Sequence, residues 1–454
     1  MQNRLLPIAI GRPAIDRLAR QTRWLQRQSK RLTPTIFVQA LVATVSSGQR
    51  SLRELAIEIG LLTGETMSKQ SLAERINSNA VELLKRITAE ALCNATGSTF
   101  GFAVGKIKRV SRILIGDSST LTLHKSLSEY FPGATNQSDS QAAQVRFQLT
   151  FDLISGRWLH VSLDSYLRND RKAALDIVQT IVRKGDLIIR DLGYASTRCF
   201  RAIIEQGAFF LSRLHSSARL FDVAGNAIDL LNLARRNAPK QGDTFTTEVL
   251  VGTDDQLGCR LVIIRVPNEI GDQRRRRLNQ EAKRKGRKVH RKAYLELENW
   301  MIFVTNLDED QVSEQQLHQL YQMRWRIENI FKLSKSQTGL LKVAGHRTHK
   351  HHAEVLIWAW LLMMISLSRQ GIFRLVEHHS QGNEAITASV FKSIGKILQW
   401  IPLSIGLSHA GDIPTLLERL REQQDYHDRY ERRQRISLPQ RFQMALSSDN
   451  DLKP

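Results

Sequence analysis

Between residues 112 and 214 the chain alternates short apolar runs with amphipathic ones, and their order limits the folds open to it. Ile113-Leu114-Ile115-Gly116-Asp117 reads as an apolar strand that ends on an acid. Residues 144–164 read as a β-hairpin: Phe147, Leu149, Phe151 and Leu153 alternate with polar residues or Thr, and Ser155-Gly156 supplies the turn. Helical periodicity follows over 171–183. Residues 186–191 form a second apolar strand ending on an acid, 197–206 a short helix, and 208–214 a third apolar strand. Strand, hairpin, helix, strand, helix, strand suits one mixed sheet covered by helices.

Asp117 and Asp191 stand at the ends of apolar strands, where side chains can converge outside a sheet to hold a ligand or a metal. Each also has a plainer reading, Asp117 capping a turn through Ser118 and Ser119 and Asp191 capping the next helix. Residues 314 to about 336 read as one long helix. At about 100° per residue, Tyr321, Arg324, Glu328, Lys332 and Lys335 share one stripe, while Leu320, Met323, Ile327 and Ile330 fall on another side. One acid among several cations suits a metal ligand beside phosphate anchors. The same spacing suits a surface helix, because Arg324–Glu328 and Glu328–Lys332 are both i,i+4 pairs. Three carboxylates together are enough for hard, oxygen-ligated ions such as Mg²⁺. The mixed sheet is of the ribonuclease H type.

Charge points to a polyanion. Lys and Arg number 66 against 44 Asp and Glu, a net +22, and nucleic acid is the commonest partner of such a chain. Residues 274–292 hold eleven basic residues and one acid, so they carry +10 of that total and leave +12 elsewhere. As a loop or as an exposed helix, this run favours a phosphate backbone. Strand-like segments at 244–251, 260–266 and 301–305 lie around it. Before residue 100 the chain reads as helical. Ser51-Leu52-Arg53-Glu54 has the form of a capping box starting a helix to Gly60, and residues 68–76 form a second short helix. The pair resembles a helix-turn-helix, with Lys69, Gln70 and Arg75 as base-reading candidates. His346, His349, His351 and His352 match no closed zinc motif and read as part of a DNA-facing or solvated segment.

Other functions are disfavoured. Three scattered cysteines build no disulfide framework and fit a reducing cytoplasm. Residues 1–20 lack the apolar core of a signal peptide. The longest apolar run, 355–365, has 11 residues against about 20 for a membrane span, so it reads as a buried helix and no membrane is expected.

Tyr321, Arg324, Glu328 and Lys335 spell Y-x2-R-x3-E-x6-K. Together with the upstream acids in Ile-Gly-Asp117-Ser-Ser-Thr and Asp191-Leu192-Gly193-Tyr194, this pattern resembles the insertion-sequence transposases of family four, within the DDE group, over about residues 50–370. The resemblance implies that Asp117, Asp191 and Glu328 are catalytic and bind two metal ions, Mg²⁺ with Mn²⁺ as the other candidate. It implies that Tyr321, Arg324, Lys332 and Lys335 contact the DNA backbone, and Arg213 aligns with another DNA-contacting arginine. Trp300 lies where a member of the family stacks a tryptophan on a flipped base, and a buried core tryptophan is the equal alternative. Leu192 departs from the arginine many members carry there, which removes a phosphate contact and leaves the metal ligand.

The expected division is a helical DNA-binding domain over 1–100, a catalytic core over 101–215 and 306–370 that carries the Glu328 helix, a β-rich basic insertion over 216–305, and a helical region over 371–454 that is a candidate dimer interface. The expected partners are double-stranded DNA, namely transposon terminal inverted repeats and target DNA, and a second copy of the chain when the ends are synapsed. The expected reaction is cut-and-paste DNA transposition. An inactive DNA-binding repressor and a general ribonuclease H-like nuclease are the alternatives.

Overall fold

The structure, a computed structural model, describes residues 10–27, 31–93, 107–135, 141–155, 157–167, 170–254, 256–284, 286, 292–324, 328, 331, 340, 349–369 and 387–429. It opens with five helices: α1 (Arg12–Gln21), α2 (Pro34–Ser46), α3 (Leu52–Thr63), α4 (Lys69–Arg75) and α5 (Ser78–Cys93). Thr33 and Ser51 start α2 and α3 by accepting backbone N–H bonds from Ile36 and Glu54. Helix α3 runs past Gly60 to Thr63, because the residue that stops it is Gly64, which takes the left-handed conformation at φ 74°. Helix α4 begins at the Ser68 cap, so the expected helical pair is present.

The sheet follows in β1 (Arg112–Thr122), β2 (Pro132–Thr135), β3 (Gln141–Asp152) and β4 (Arg157–Ser165). Helix α6 (Asp170–Ile181) leads to β5 (Asp186–Arg190), and α7 (Thr197–Glu205) leads to β6 (Phe209–Arg213). Strand β3 pairs antiparallel with both β1 and β4, while β5 pairs parallel with β1 and with β6. The order β4-β3-β1-β5-β6, three antiparallel strands and then two added in parallel, is the ribonuclease H arrangement. The parallel additions need helical crossovers, and α6 and α7 supply them. One expectation is corrected here: β1 does not end at Asp117 but continues to Thr122, held by β3 as far as Thr122↔Gln144.

After β6 come β7 (Leu220–Phe221), α8 (Leu230–Asn237), β8 (Thr244–Val251), β9 (Leu257–Arg265), α9 (Asn268–Arg284), α10 (Lys292–Glu296) and β10 (Trp300–Thr305). These strands do not close a sheet of their own. Strand β10 pairs antiparallel with β6 on one side and β9 on the other, so the inserted strands extend the core sheet to ten strands. The basic run begins inside α9, which is largely exposed.

The chain ends, within the described residues, in α11 (Glu314–Gln322), α12 (Lys350–Arg369), α13 (Thr387–Ala410) and α14 (Ile413–Arg429). A second correction concerns α11. It stops at Gln322, Met323 and Arg324 form a turn bonded back to Leu320 and Tyr321, and Glu328 is again helical. The helix expected over 314–336 is therefore not continuous, and its residues 325–327, 329–330 and 332–336 lie outside the described ones.

Residues 355–365 of α12 are buried throughout, as the apolar run requires. This helix lies against α2 and α5, and Trp360 sits 6.2 Å from Phe147 of β3, so the N-terminal helices and one face of the sheet share a core. Helices α6, α7 and α8 cover the other face. Helices α13 and α14 fold back onto the N-terminal helices: Arg419 Nη1 donates to the Leu61 and Leu62 carbonyls at 3.0 and 3.3 Å, at the end of α3. Among the described residues no helix is long and apolar enough to cross a membrane.

At the start of the two central strands Arg112 forms a two-pronged ion pair with Asp186, at 2.8 and 2.6 Å. Asp186 also accepts the Arg183 N–H at 2.7 Å, and its side chain is fully buried. Asp186→Ala leaves a half-buried guanidinium without its partner. It should destabilise the protein by about 3 kcal/mol, read as a lowered urea midpoint. A change below about 1 kcal/mol would contradict this pairing's structural weight.

Candidate active site

Parallel pairing brings the two aspartates together. The last register pair between β1 and β5 is Gly116↔Arg190, so Asp117 and Asp191 stand one residue beyond it on neighbouring strands. Parallel partners share a face, and Ile115 and Ile189, two residues earlier, are both buried on the side that faces the N-terminal helices. Asp117 and Asp191 project to that same side. Neither capping reading holds. Asp117 lies within a strand, where Oδ1 accepts the N–H of Ser118 at 2.8 Å, and Asp191 makes no side-chain cap to the turn that follows it.

Helix α11 lies against β6 and delivers the other groups. The Tyr321 hydroxyl donates to Asp191 Oδ1 at 3.4 Å, and its ring lies 5.2 Å from that of Phe303 on β10. Burial pushes the Tyr321 phenol up to about 12, so at neutral pH it remains a donor. Arg324 is only 8% exposed; its Nη1 lies 2.6 Å from Glu328 Oε1, and its guanidinium is 5.6 Å from the centre of the Tyr321 ring. The i,i+4 ion pair read from spacing is thus present, but it is part of the site. Burial lowers the Arg324 pKa, and Tyr321, Asp191 and Glu328 outweigh that effect and raise it.

Asp117 shows the electrostatics most clearly. Burial pushes its carboxyl up to about 6; the Ser118 N–H and Arg324 oppose the rise, and the nearby charges of Asp191 and Glu328 add to it. Three carboxylates therefore sense one another around one guanidinium. Among the described residues no three acidic or thiol or imidazole groups are arranged to hold one ion as the side chains stand. The chemistry of the donors nevertheless fits a hard divalent cation. Such an ion would replace Arg324 as the counter-charge at Glu328.

Sequence reading does not single out Arg190. It points to the opposite face of the sheet, is 6% exposed, and packs over Tyr194 at 5.3 Å. Its Nε and Nη1 have no hydrogen-bond partner among the described residues, and burial lowers its pKa against the opposing pull of Cys199, Tyr194 and Asp117. Gly116 makes room for it: a Cβ there would lie 3.2 Å from Arg190 Nε.

The remaining expected residues divide. Arg213, paired in register with Phe303, lies near enough to Tyr321 to act on its phenol. Trp300 is a core residue: it is 4% exposed, its indole N–H donates to the Ala238 carbonyl at 2.7 Å, and Arg265 covers its ring at 4.7 Å. That placement is the core alternative of the two readings for Trp300. Lys332, Lys335 and His346 lie outside the described residues. His351 pairs with Glu354 at 3.4 Å and His352 is buried, so neither forms a metal cluster among the described residues.

A ribonuclease H sheet with two aspartates one residue beyond matched register positions and a basic surface suits an enzyme that acts on a polynucleotide. The transposase DDE domain family matches residues 108–364, more than half of the chain. The chain belongs to that family, as an insertion-sequence transposase of the family-four kind that acts on DNA. It is 28% identical over 338 residues to the transposase of the insertion sequence element IS231E from Bacillus thuringiensis subsp. finitimus, covering 71% of this chain and 70% of that one. It is 24% identical over 407 residues to the transposase of IS1151 from Clostridium perfringens, covering 86% and 84%. Among solved structures, a piggyBac transposase synaptic complex with hairpin DNA is similar at a TM-score of 0.47 and 9% identity, over 97% of this chain and 88% of that one.

Proposed function

We propose that Asp117, Asp191 and Glu328 together hold two divalent ions, Mg²⁺ or Mn²⁺, for cleavage and strand transfer at the ends of the element. The observation that supports this reading is the register-matched aspartate pair, with Glu328 joined to it through Arg324. Divalent ions bound there would supply Lewis-acid stabilisation of a phosphodiester undergoing in-line displacement. The chain's own groups seat and orient that phosphodiester. Arg324 turns from Glu328 to a phosphate oxygen once the carboxylates have another counter-charge. Tyr321, pinned on Asp191, offers its hydroxyl to the backbone, and Arg213, Lys332 and Lys335 add charge along the same strand. The nucleophile is a water or a freed 3′-hydroxyl, and the substrate is the pair of terminal inverted repeats and then target DNA.

The helices before residue 100 are proposed to read the ends, with Lys69, Gln70 and Arg75 on the α3–α4 unit. Joining two ends calls for two copies of the chain. Exposed Trp400, Leu403, Ile413 and Leu417 on α13 and α14 leave apolar surface in the region proposed to pair them. The test is incubation of the protein with a plasmid carrying the element's own flanking ends, with Mg²⁺ and with a chelator. Cleavage at the ends in Mg²⁺ alone is expected. Indiscriminate nicking would favour a general nuclease, and end-specific binding without cleavage a repressor.

A further inference from the structure

We propose that Arg213, Arg274 and His318 form a second phosphate seat, which takes a backbone phosphate of the bound DNA strand away from the bond being cut. The proposal rests on the transposase reading above and adds to it Arg274 from the insertion and His318 from α11.

Arg274 is the first residue of the basic run, on α9, and it is turned inward, as is Arg275, which donates to Asn299 Oδ1. Its neighbours Arg276 and Arg277 are exposed, whereas Arg274 is half-buried, with Nη1 3.5 and 3.4 Å from the carbonyls of Glu298 and Trp300. Those carbonyls lie at the start of β10. Three residues further along β10, Phe303 is the register partner of Arg213. The insertion therefore brings a guanidinium to β10, the strand that pairs with β6 at Arg213. Arg213 Nε is buried with no hydrogen-bond partner among the described residues. His318 comes from α11, one turn before Tyr321. Its Nε2 lies 3.2 Å from the Gln322 amide nitrogen, which makes Nε2 the acceptor and leaves the proton on Nδ1.

Among the described residues Arg213 and Arg274 form an under-compensated positive pair, and neutral His318 adds an N–H donor beside it. Burial lowers the Arg274 pKa, Arg213 lowers it further, and Glu298, which pulls the other way, has a smaller effect than Arg213. Burial and then Arg274 also lower the His318 pKa. Folding two arginines together without a sufficient acid is unfavourable unless an anion arrives. The anion at hand is fixed by what lies next to the seat. Tyr321 is within reach of Arg213's charge and touches Asp191, so a strand seated at the carboxylates runs on past Arg213 and Arg274. Beyond them it meets exposed Arg276, Arg277, Lys283 and Arg284 on α9. A phosphodiester fits this path and a free carboxylate ligand does not explain it.

The test uses the full-length protein and a duplex of the element's end, with backbone phosphates replaced singly by neutral methylphosphonates. Wild type should lose affinity at one position outside the cut bond. Arg274→Gln should bind the natural duplex roughly tenfold more weakly, its salt slope should fall by about one, and it should lose nothing further at that position. Arg213→Gln should behave in the same way, which guards against a local loosening of α9 in the Arg274 variant, and Arg274→Lys should recover part of the loss. His318→Ala should lose roughly two- to tenfold. Variants that bind as wild type does, or whose loss persists with every methylphosphonate, would overturn the seat. If wild type also fails to prefer the end duplex over random DNA, the transposase reading falls with it. Normal end cleavage with an unchanged methylphosphonate pattern in the variants removes the seat alone.

Discussion

Asp117→Asn is expected to abolish DNA cleavage and, without divalent ions, to make the protein more stable than wild type. The stability effect follows from where the carboxyl sits. Burial pushes it up to about 6, against roughly 4 for an unfolded aspartate. The folded pKa lies above the unfolded one, so ionisation disfavours the fold. That penalty is absent below about pH 4, grows between about 4 and 6, and is complete above it. Asparagine cannot ionise and escapes it. A shift of about two units corresponds to about 3 kcal/mol, and residual solvent contact at the site reduces the expected gain to about 1–3 kcal/mol at pH 8. Added Mg²⁺ should narrow the gap, because a bound ion is a counter-charge that wild type uses better. The same substitution removes a ligand worth several kcal/mol to the transition state, so cleavage should fall by about 10³-fold or more. Thermal melts at pH 8 in chelator and in Mg²⁺, beside a plasmid cleavage assay, read both effects. A variant that melts below wild type in chelator would contradict the burial argument, and one that cleaves normally would take Asp117 out of the site.

Glu328→Ala should lose cleavage to a similar degree, and in chelator it should bind DNA more tightly than wild type. Glu328 holds Arg324 at 2.6 Å, which neutralises a cation that lies near the DNA path. Removing the carboxylate frees the guanidinium for a phosphate and deletes one repulsive charge. Affinity should rise several-fold, and its dependence on salt should steepen by about one in log–log slope, measured by fluorescence anisotropy from about 50 to about 200 mM. Unchanged cleavage would remove Glu328 from the chemistry. Weaker binding in chelator would contradict the role given to Arg324.

Much of the site can be read from the sequence because its acids close apolar runs, and apolar runs report burial. Asp191 is the clear case: Leu187 to Ile189 are buried and the strand stops at Arg190. Asp117 is harder. Ser118 and Ser119 look like turn residues, yet β3 is long enough to carry β1 on to Thr122, and strand pairing over a gap leaves no mark in local composition. The same reason hides the union of the insertion with the core sheet, which depends on β10 pairing with β6 across nearly a hundred residues. Spacing places Trp300 near Tyr321 in sequence but says nothing about its face; the Ala238 carbonyl and Arg265 hold it in the core. In the run Arg274 to Arg277 composition is uniform, and only the packing of α9 beside β10 distinguishes half-buried Arg274 and Arg275 from exposed Arg276 and Arg277. The break in α11 at Met323 and Arg324 is equally silent, since neither residue is a helix breaker.

The central claim is that Asp117, Asp191 and Glu328 hold the metal as one set. Electron paramagnetic resonance of Mn²⁺, titrated into the protein bound to its end duplex, tests it most directly. The prediction is that wild type takes up Mn²⁺ and that Asp117→Asn, Asp191→Asn and Glu328→Gln each weaken uptake by tenfold or more. Uptake that is unchanged in all three variants would contradict the claim.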